Sequence, residues 1–325
     1  MGLVFVLLMA VGLGGGGCSK YKPAAIQSNN KLVHSSIDNT EPVLVFSIFR
    51  HGDRTPDQEE LDKYPAEEKS DKLFFPFGKK ALTNKGKQRG FKVGEYLRDR
   101  YDEFISQLYL PDEIKIRTTD YDRTKMTALT AMSALYPPLP PQRWNPALNW
   151  QPVPYDTLEY QHDDENVGVK PPKWAQEVMP KIKEMTKIEY AIEYYDDDLI
   201  RLASGVLLGD IVNASTLAVA GDLDQPKMRL YSAHENNVAG LMAAARVFQP
   251  HQPKYGSTFS LELRRRNDTG QYGFLAVYAA IAGGPDVILP VDGCGDSLFC
   301  DFDTFLSLTK NVVNTRERFE EDCFK

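Results

Sequence analysis

The sequence predicts an α/β fold with a mainly parallel central sheet flanked by helices and a helical cap subdomain. Three observations carry this expectation. Val43 to Phe49 reads VLVFSIF, an almost unbroken apolar run of the kind found in a central parallel strand covered on both faces, and it runs straight into a polar loop. The order strand, polar turn, amphipathic helix returns at Met228 to Ala245. Between the two, Lys173 to Ser215 is predominantly helical, and strands alternating with helices around such an insertion imply an α/β core.

Taken in order, residues 20–40 are polar and unpatterned, so the fold is expected to begin at Pro42. Val93, Leu97, Tyr101, Phe104 and Leu108 recur at steps of three and four, predicting one long helix with Thr83 or Asn84 as its cap. Ile114 to Arg117 reads as a short strand, and Tyr121 to Leu135 as a helix stopped by Pro137 and Pro138. Trp144 to Tyr160, rich in proline and aromatics, reads as irregular. Val238, Leu241, Met242 and Ala245 share one face of a helix that begins just after His234 and Glu235. Phe259 to Leu263 and Gly273 to Ala280 form a hairpin around a turn, and Asp303 to Phe319 makes a terminal helix. One domain over residues 42–325 is expected, with the cap within about 150–215.

With 325 residues, 42% hydrophobic and 26% charged, the chain has an ordinary globular composition. A net charge of -7 gives no reason to expect a nucleic-acid partner. The basic run Arg264, Arg265, Arg266 reads as a solvated strand end. Leu3 to Val11 is apolar and Gly12 to Gly17 small, which reads as a signal peptide over residues 1–18; no later stretch is long and apolar enough to predict a membrane anchor. The sequons at Asn213 and Asn267 fit a secretory route. Cys294 and Cys300 enclose a short Gly-rich loop and are expected to pair, leaving Cys323 over.

The chemistry concentrates in Arg50-His51-Gly52-Asp53-Arg54-Thr55-Pro56, at the end of the first strand. Ligands of open α/β sheets gather at the carboxyl ends of strands. Two guanidinium forks match the oxygens of a phosphate, Gly52 permits close backbone approach, Asp53 can orient a neighbour, and an imidazole so surrounded can attack phosphorus. A lone histidine after a strand is more often a packed or exposed residue; the flanking arginines change that balance. No cluster of His, Cys and carboxylates suggests a metal, and no cofactor is implied.

At this point the chain resembles the histidine acid phosphatases, marked by RHGxRxP. Five fixed positions arise by chance in such a chain with a frequency of roughly 10⁻⁴. IRTTDYDRTKMTA, residues 116–128, looks like that family's second arginine segment, and YSAHENNVAGLM, residues 231–242, like its acid segment. The likeness covers most of residues 43–323 and is nearest in tone to secreted or venom-type members of insects and other animals. It implies that His51 is the nucleophile, that Arg50, Arg54, Arg123 and His234 bind phosphate, and that Glu235 donates the proton. It further implies a small phosphate monoester or a phosphoprotein as substrate, a homodimer as the family's common assembly, and secretion, with the lysosome as the alternative destination.

Two departures stand out. The commonest pattern has Asp where this chain has Glu235, and the extra methylene moves the carboxyl outward by about 1.5 Å. Typical members also carry several dozen more residues between Tyr160 and Pro171, including a cysteine that pairs near the C terminus. That missing partner would account for the odd Cys323. A competing reading follows: a catalytically weakened, secreted phosphate-ester-binding, venom or salivary protein that keeps the pocket. A phosphohistidine mutase or transferase is disfavoured by the leader and by the lack of a second-substrate motif. Arg117 reads as structural, and His34, His162 and His251 as surface residues.

Overall fold

A computed structural model describes residues 39–62, 74–158 and 173–324. The leader over residues 1–18, His34, His162, the segment 160–171 and the side chain of Cys323 lie outside the described part. Strand β1 spans Thr40–Arg50, and the short helix α1 Gln58–Asp62 follows the motif loop. Helix α2 (Asn84–Tyr101) leads to β2 (Ile114–Thr119) and α3 (Asp122–Leu135). Then come β3 (Asp156–Leu158), α4 (Lys173–Glu193), α5 (Asp197–Val219), β4 (Met228–Ala233) and α6 (Glu235–Ala244). The chain closes with β5 (Thr258–Arg266), β6 (Tyr272–Ala279), β7 (Asp286–Leu289), β8 (Cys300–Asp301), α7 (Phe302–Thr309) and α8 (Arg316–Phe324).

One sheet runs β3-β2-β4-β1-β5-β6-β7, with β8 also paired to β6. The core pairings β3·β2, β2·β4 and β4·β1 are parallel, and the half from β5 onward is added antiparallel. β1 stands at the junction, and its alternation divides the core. Leu44, Phe46 and Ile48 face the cluster built with Leu208 and Ile211 of α5, Val238, Leu241 and Met242 of α6, and Phe305 of α7. Val45 and Phe49 face the second cluster, with Val93 and Leu97 of α2 and Ala131, Met132 and Leu135 of α3. Every one of these side chains is buried, which explains why β1 reads as a continuous apolar run rather than an alternating one.

The elements differ from the sequence expectation in instructive places. β1 begins at Thr40 rather than Pro42, because Thr40 pairs with Arg266 and its carbonyl accepts from Arg264. α2 stops at Tyr101, seven residues short of Leu108. Phe104 and Ile105 turn back to the Tyr101 carbonyl, and the Arg98 guanidinium donates to the carbonyls of Ile105 and Ser106, so the apolar spacing continues through a turn. The expected terminal helix is two, α7 and α8, separated where Asn314 bonds to the backbone of Gly205. A short strand, β3, sits within the segment read as irregular, and Thr83 caps α2 through Gly86 N.

Cys294 and Cys300 form the expected disulfide. His251 is half-buried instead of a surface residue: it bonds to the Gln249 carbonyl and to the Tyr278 hydroxyl, pinning the loop before β5 to the hairpin. The arginine run is partly tied down, with Arg264 bridging Glu262 and Thr40 and Arg266 lying over the Phe299 ring. Arg117 pairs with Asp210, both exposed, in keeping with a structural role. Among the described residues, α5 is long and apolar enough to cross a membrane, but Leu208, Ile211, Ala214 and Ala218 on it are buried in the core.

Candidate active site

Parallel register brings the site together. Arg50 at the end of β1 pairs with Ala233 at the end of β4, and Ser232 with Thr118 of β2, so three strand ends open onto one place. His51 continues the ladder through its N–H to the Ala233 carbonyl. Arg123 enters from the first turn of α3, whose cap is Tyr121, and Glu235 opens α6, whose cap is His234. The loop before β5 supplies Gln252, Pro253 and Tyr255. Thus Arg50, His51, Arg123, His234 and Glu235, far apart in the chain, are buried against one another at the candidate pocket, and the buried Arg54 faces Tyr255 beside them.

His51 is fully buried and held by two contacts. Its Nδ1–H donates to the Gly52 carbonyl at 2.8 Å, which leaves Nε2 with a lone pair. Arg123 Nε approaches that nitrogen at 3.3 Å. Burial, followed by His234, Arg50 and Arg123, holds the imidazole well below the usual histidine range. The ring therefore stays neutral as the solution turns acidic.

His234 lies edge-on to His51, with ring centroids 5.2 Å apart. The Thr119 hydroxyl donates to Thr124, so the 2.9 Å contact between Thr119 and His234 is an Nε2–H donation to Thr119. Asn237 caps the His234 amide at 3.1 Å. Two tyrosines line the pocket that the sequence motifs did not mark. Tyr121 stacks on the Arg123 guanidinium at 4.2 Å and meets the His234 ring, and Tyr255 stacks on Arg50 at 4.0 Å and meets the His51 ring. Each places an aromatic face against a guanidinium, a cation–π contact that holds a flexible side chain in one pose. Tyr121 lies within the segment 116–128 but carries no assigned role there, and no motif surrounds Tyr255.

Two carboxylates modify the expected anion pocket. Arg50 donates through Nη2 to Glu235 Oε1 at 2.6 Å and through Nη1 to the Pro253 carbonyl at 2.7 Å. Arg54 grips Glu60 with both terminal nitrogens, at 2.8 and 3.1 Å, and Nη1 also donates to the Thr55 carbonyl. Two of the three arginines assigned to phosphate are thus already engaged by carboxylates, and no motif in the sequence marks Glu60. Glu235 Oε1 also receives Gln252 at 3.4 Å, whereas Oε2 is buried and makes no hydrogen bond among the described residues.

Gly52 does permit a close backbone approach, but the backbone concerned is that of α2. A Cβ at Gly52 would lie 2.2 Å from the Gly86 carbonyl oxygen, so glycine is required to let the motif loop touch that helix. Asp53 completes the attachment through Lys85 and Arg89 of α2. Among the described residues no group of His, Cys and carboxylates is arranged to hold a metal.

Residues 44–203 match the model of the histidine phosphatase superfamily, branch 2. The venom acid phosphatase of Apis mellifera is 28% identical over 335 residues, covering 83% of this chain and 85% of that protein. The prostatic acid phosphatase of Homo sapiens is 27% identical, covering 82% and 84%. The human lysosomal acid phosphatase is 26% identical, covering 85% and 78%. In overall fold the chain is similar to the phytase of Hafnia alvei in complex with myo-inositol hexakis sulphate, with a TM-score of 0.55, 13% identity, and coverage of 85% and 98%. The phytase of Citrobacter braakii gives a TM-score of 0.55 at 11% identity, with 84% and 98% covered.

Proposed function

Because this chain belongs to branch 2 of the histidine phosphatase superfamily and is an acid phosphatase, we propose that it hydrolyses phosphate monoesters through a phosphohistidine formed on His51. The observation that carries the proposal is the state of His51: a buried, neutral imidazole whose Nδ1 proton is committed to Gly52 and whose Nε2 faces Arg123, with the His234 ring edge-on beside it.

The reaction divides in two. In the first step the Nε2 lone pair forms a bond to phosphorus while the ester P–O bond breaks, and Glu235 passes its proton to the departing oxygen. Arg50, Arg54, Arg123 and His234 answer the charge that builds on the phosphoryl oxygens, with the first N–H groups of α3 and α6 adding to the field. In the second step Glu235 takes a proton from water, the water oxygen bonds to phosphorus, and the N–P bond breaks to release inorganic phosphate. An unprotonated nucleophile and a protonated acid must coexist. The depressed pKa of His51 permits this in acid, since the ring accepts a proton only at a pH well below about 6.5.

Further readings rest on the same site. Tyr190 of α4 and Tyr194 just beyond its end donate to the side chain and carbonyl of Asn236, the residue after Glu235, which supports a cap role for α4 and α5. Secretion accords with the leader and with the exposed sequon asparagines, Asn213 on α5 and Asn267 in the β5–β6 turn. Steady-state hydrolysis of p-nitrophenyl phosphate at acid pH tests the proposal. His51→Ala should lose at least about 10⁴-fold in turnover while keeping its fold. Wild-type turnover by the alanine variant would refute it.

A further inference from the structure

The two-step reaction leaves one buried carboxylate of the pocket without a role. Asp57 and Glu60 cap each other at the start of α1: Asp57 Oδ1 accepts from Glu60 N at 2.8 Å, and Glu60 Oε2 accepts from Asp57 N at 2.7 Å. From this anchored position Glu60 spans the end of the Arg54 guanidinium, and both side chains are at most 3% exposed. A charge so fixed acts on everything in the pocket, because little water lies between to screen it.

We propose that Glu60 is a charge-setting positioning residue, which holds Arg54 at the pocket and removes one unit of its positive charge. A doubly charged phosphate ester is then matched only when Glu235 carries a proton. The charge count makes the point. Arg50, Arg54 and Arg123 bring three positive charges and Glu60 one negative, His51 is neutral, and the Asp57 carboxylate is set against Lys80 at 4.0 Å. With Glu235 protonated the balance equals a phosphate dianion; with Glu235 ionised it falls short by one. His234 faces the same anion in both states. The acid preference thus lies in binding as well as in proton donation. This inference rests on reading the pocket as a phosphate site.

The groups facing these carboxylates are few. Glu60 meets Arg54, the Asp57 backbone and carboxylate, and the field of Tyr255, with Lys80 4.0 Å from the Asp57 carboxylate. Glu235 meets Arg50, Gln252 and the field of Tyr255, beside His234 in the chain. Burial pushes the Tyr255 phenol up to about 12, so it remains neutral across the acid and neutral range.

Glu60→Gln is the test, since the amide keeps the shape and an acceptor for Arg54 and Asp57 N. The measurements are inhibition constants for inorganic phosphate and vanadate at neutral pH, and the pH profile of kcat/KM for p-nitrophenyl phosphate. The variant should bind both anions about tenfold more tightly at neutral pH and extend activity toward higher pH. Weaker anion binding, or an unmoved alkaline limb, would overturn the proposal and leave Glu60 a structural clamp. Thr55→Val removes the hydroxyl bonds that hold this loop to the Gly78 carbonyl and the Ala81 N–H while changing no charge, so it should lower Tm and retain the wild-type limb. An equal shift in Thr55→Val would show that loosening of the loop, rather than charge, is the cause. Failure of phosphate to bind either the wild type or Glu60→Gln would contradict the phosphate-site reading itself.

Discussion

Glu235 in the pocket and Glu262 in the antiparallel half of the sheet are both buried almost completely, and their surroundings differ in kind. Glu262 is closed in. Oε1 accepts from Arg100 and the Tyr101 hydroxyl at 2.8 and 2.9 Å, and Oε2 accepts from Arg264 at 2.9 Å. Arg100 extends the network to Asp286, which also receives Tyr96. Glu235 has Oε1 committed to Arg50 and Oε2 without a hydrogen-bond partner among the described residues. A carboxylate satisfied on every side serves the fold, whereas one oxygen left open in a buried pocket is maintained against its desolvation cost and is suited to handling a proton.

Isosteric substitutions sharpen that contrast. Glu235→Gln should reduce turnover of alkyl phosphates by roughly 10²- to 10⁴-fold, because poor leaving groups need the proton. For nitrophenyl phosphate the loss should be much smaller, since that phenolate departs unaided, and Tm should change little. A uniform small loss across leaving groups would remove Glu235 from the donor role. Glu262→Gln should do the reverse, lowering stability by about 3 kcal/mol, as expected when one partner of a buried ion pair is removed, with kcat per folded molecule unchanged. Chemical denaturation beside active-site titration separates the two. If Glu262→Gln lost turnover at unchanged stability, the division between structural and functional carboxylate would be wrong.

The smallest expected effect also lies in the antiparallel half. Cys294 and Cys300 close a loop with a sequence separation of 6, so replacing both by serine should cost about 2 kcal/mol of stability on a loop-entropy estimate. Activity should stay intact, because the disulfide joins β8 to the turn before it and touches none of the pocket residues. A loss of turnover beyond the unfolded fraction would tie that turn to the active site.

The parallel core and the pocket were legible in the sequence for a physical reason. A strand buried on both faces reads as an unbroken apolar run, and a strand end that binds an anion must carry its charges in the loop that follows. Arg50 ends β1 and His51 follows it, His234 and Glu235 follow β4, and Arg123 lies in the first turn of the helix after β2. What sequence reading left out depends on partners distant in the chain. Glu60 reads as one acid in the polar string Asp57 to Asp62 until the loop folds back on Arg54. Tyr121 and Tyr255 show their role only when stacked on guanidinium groups. The end of α2 was misplaced because Phe104 keeps helical spacing while packing beyond a turn that Arg98 stabilises.

The central claim is that phosphate passes through His51, and the most direct measurement is to trap it there. Brief reaction with a labelled phosphate monoester, an alkaline quench and peptide mapping should recover label on the peptide containing His51, stable in base and lost in acid, with none in His51→Ala. Label on a serine, aspartate or other histidine, or full single-turnover hydrolysis by an enzyme that never retains label, would contradict the account.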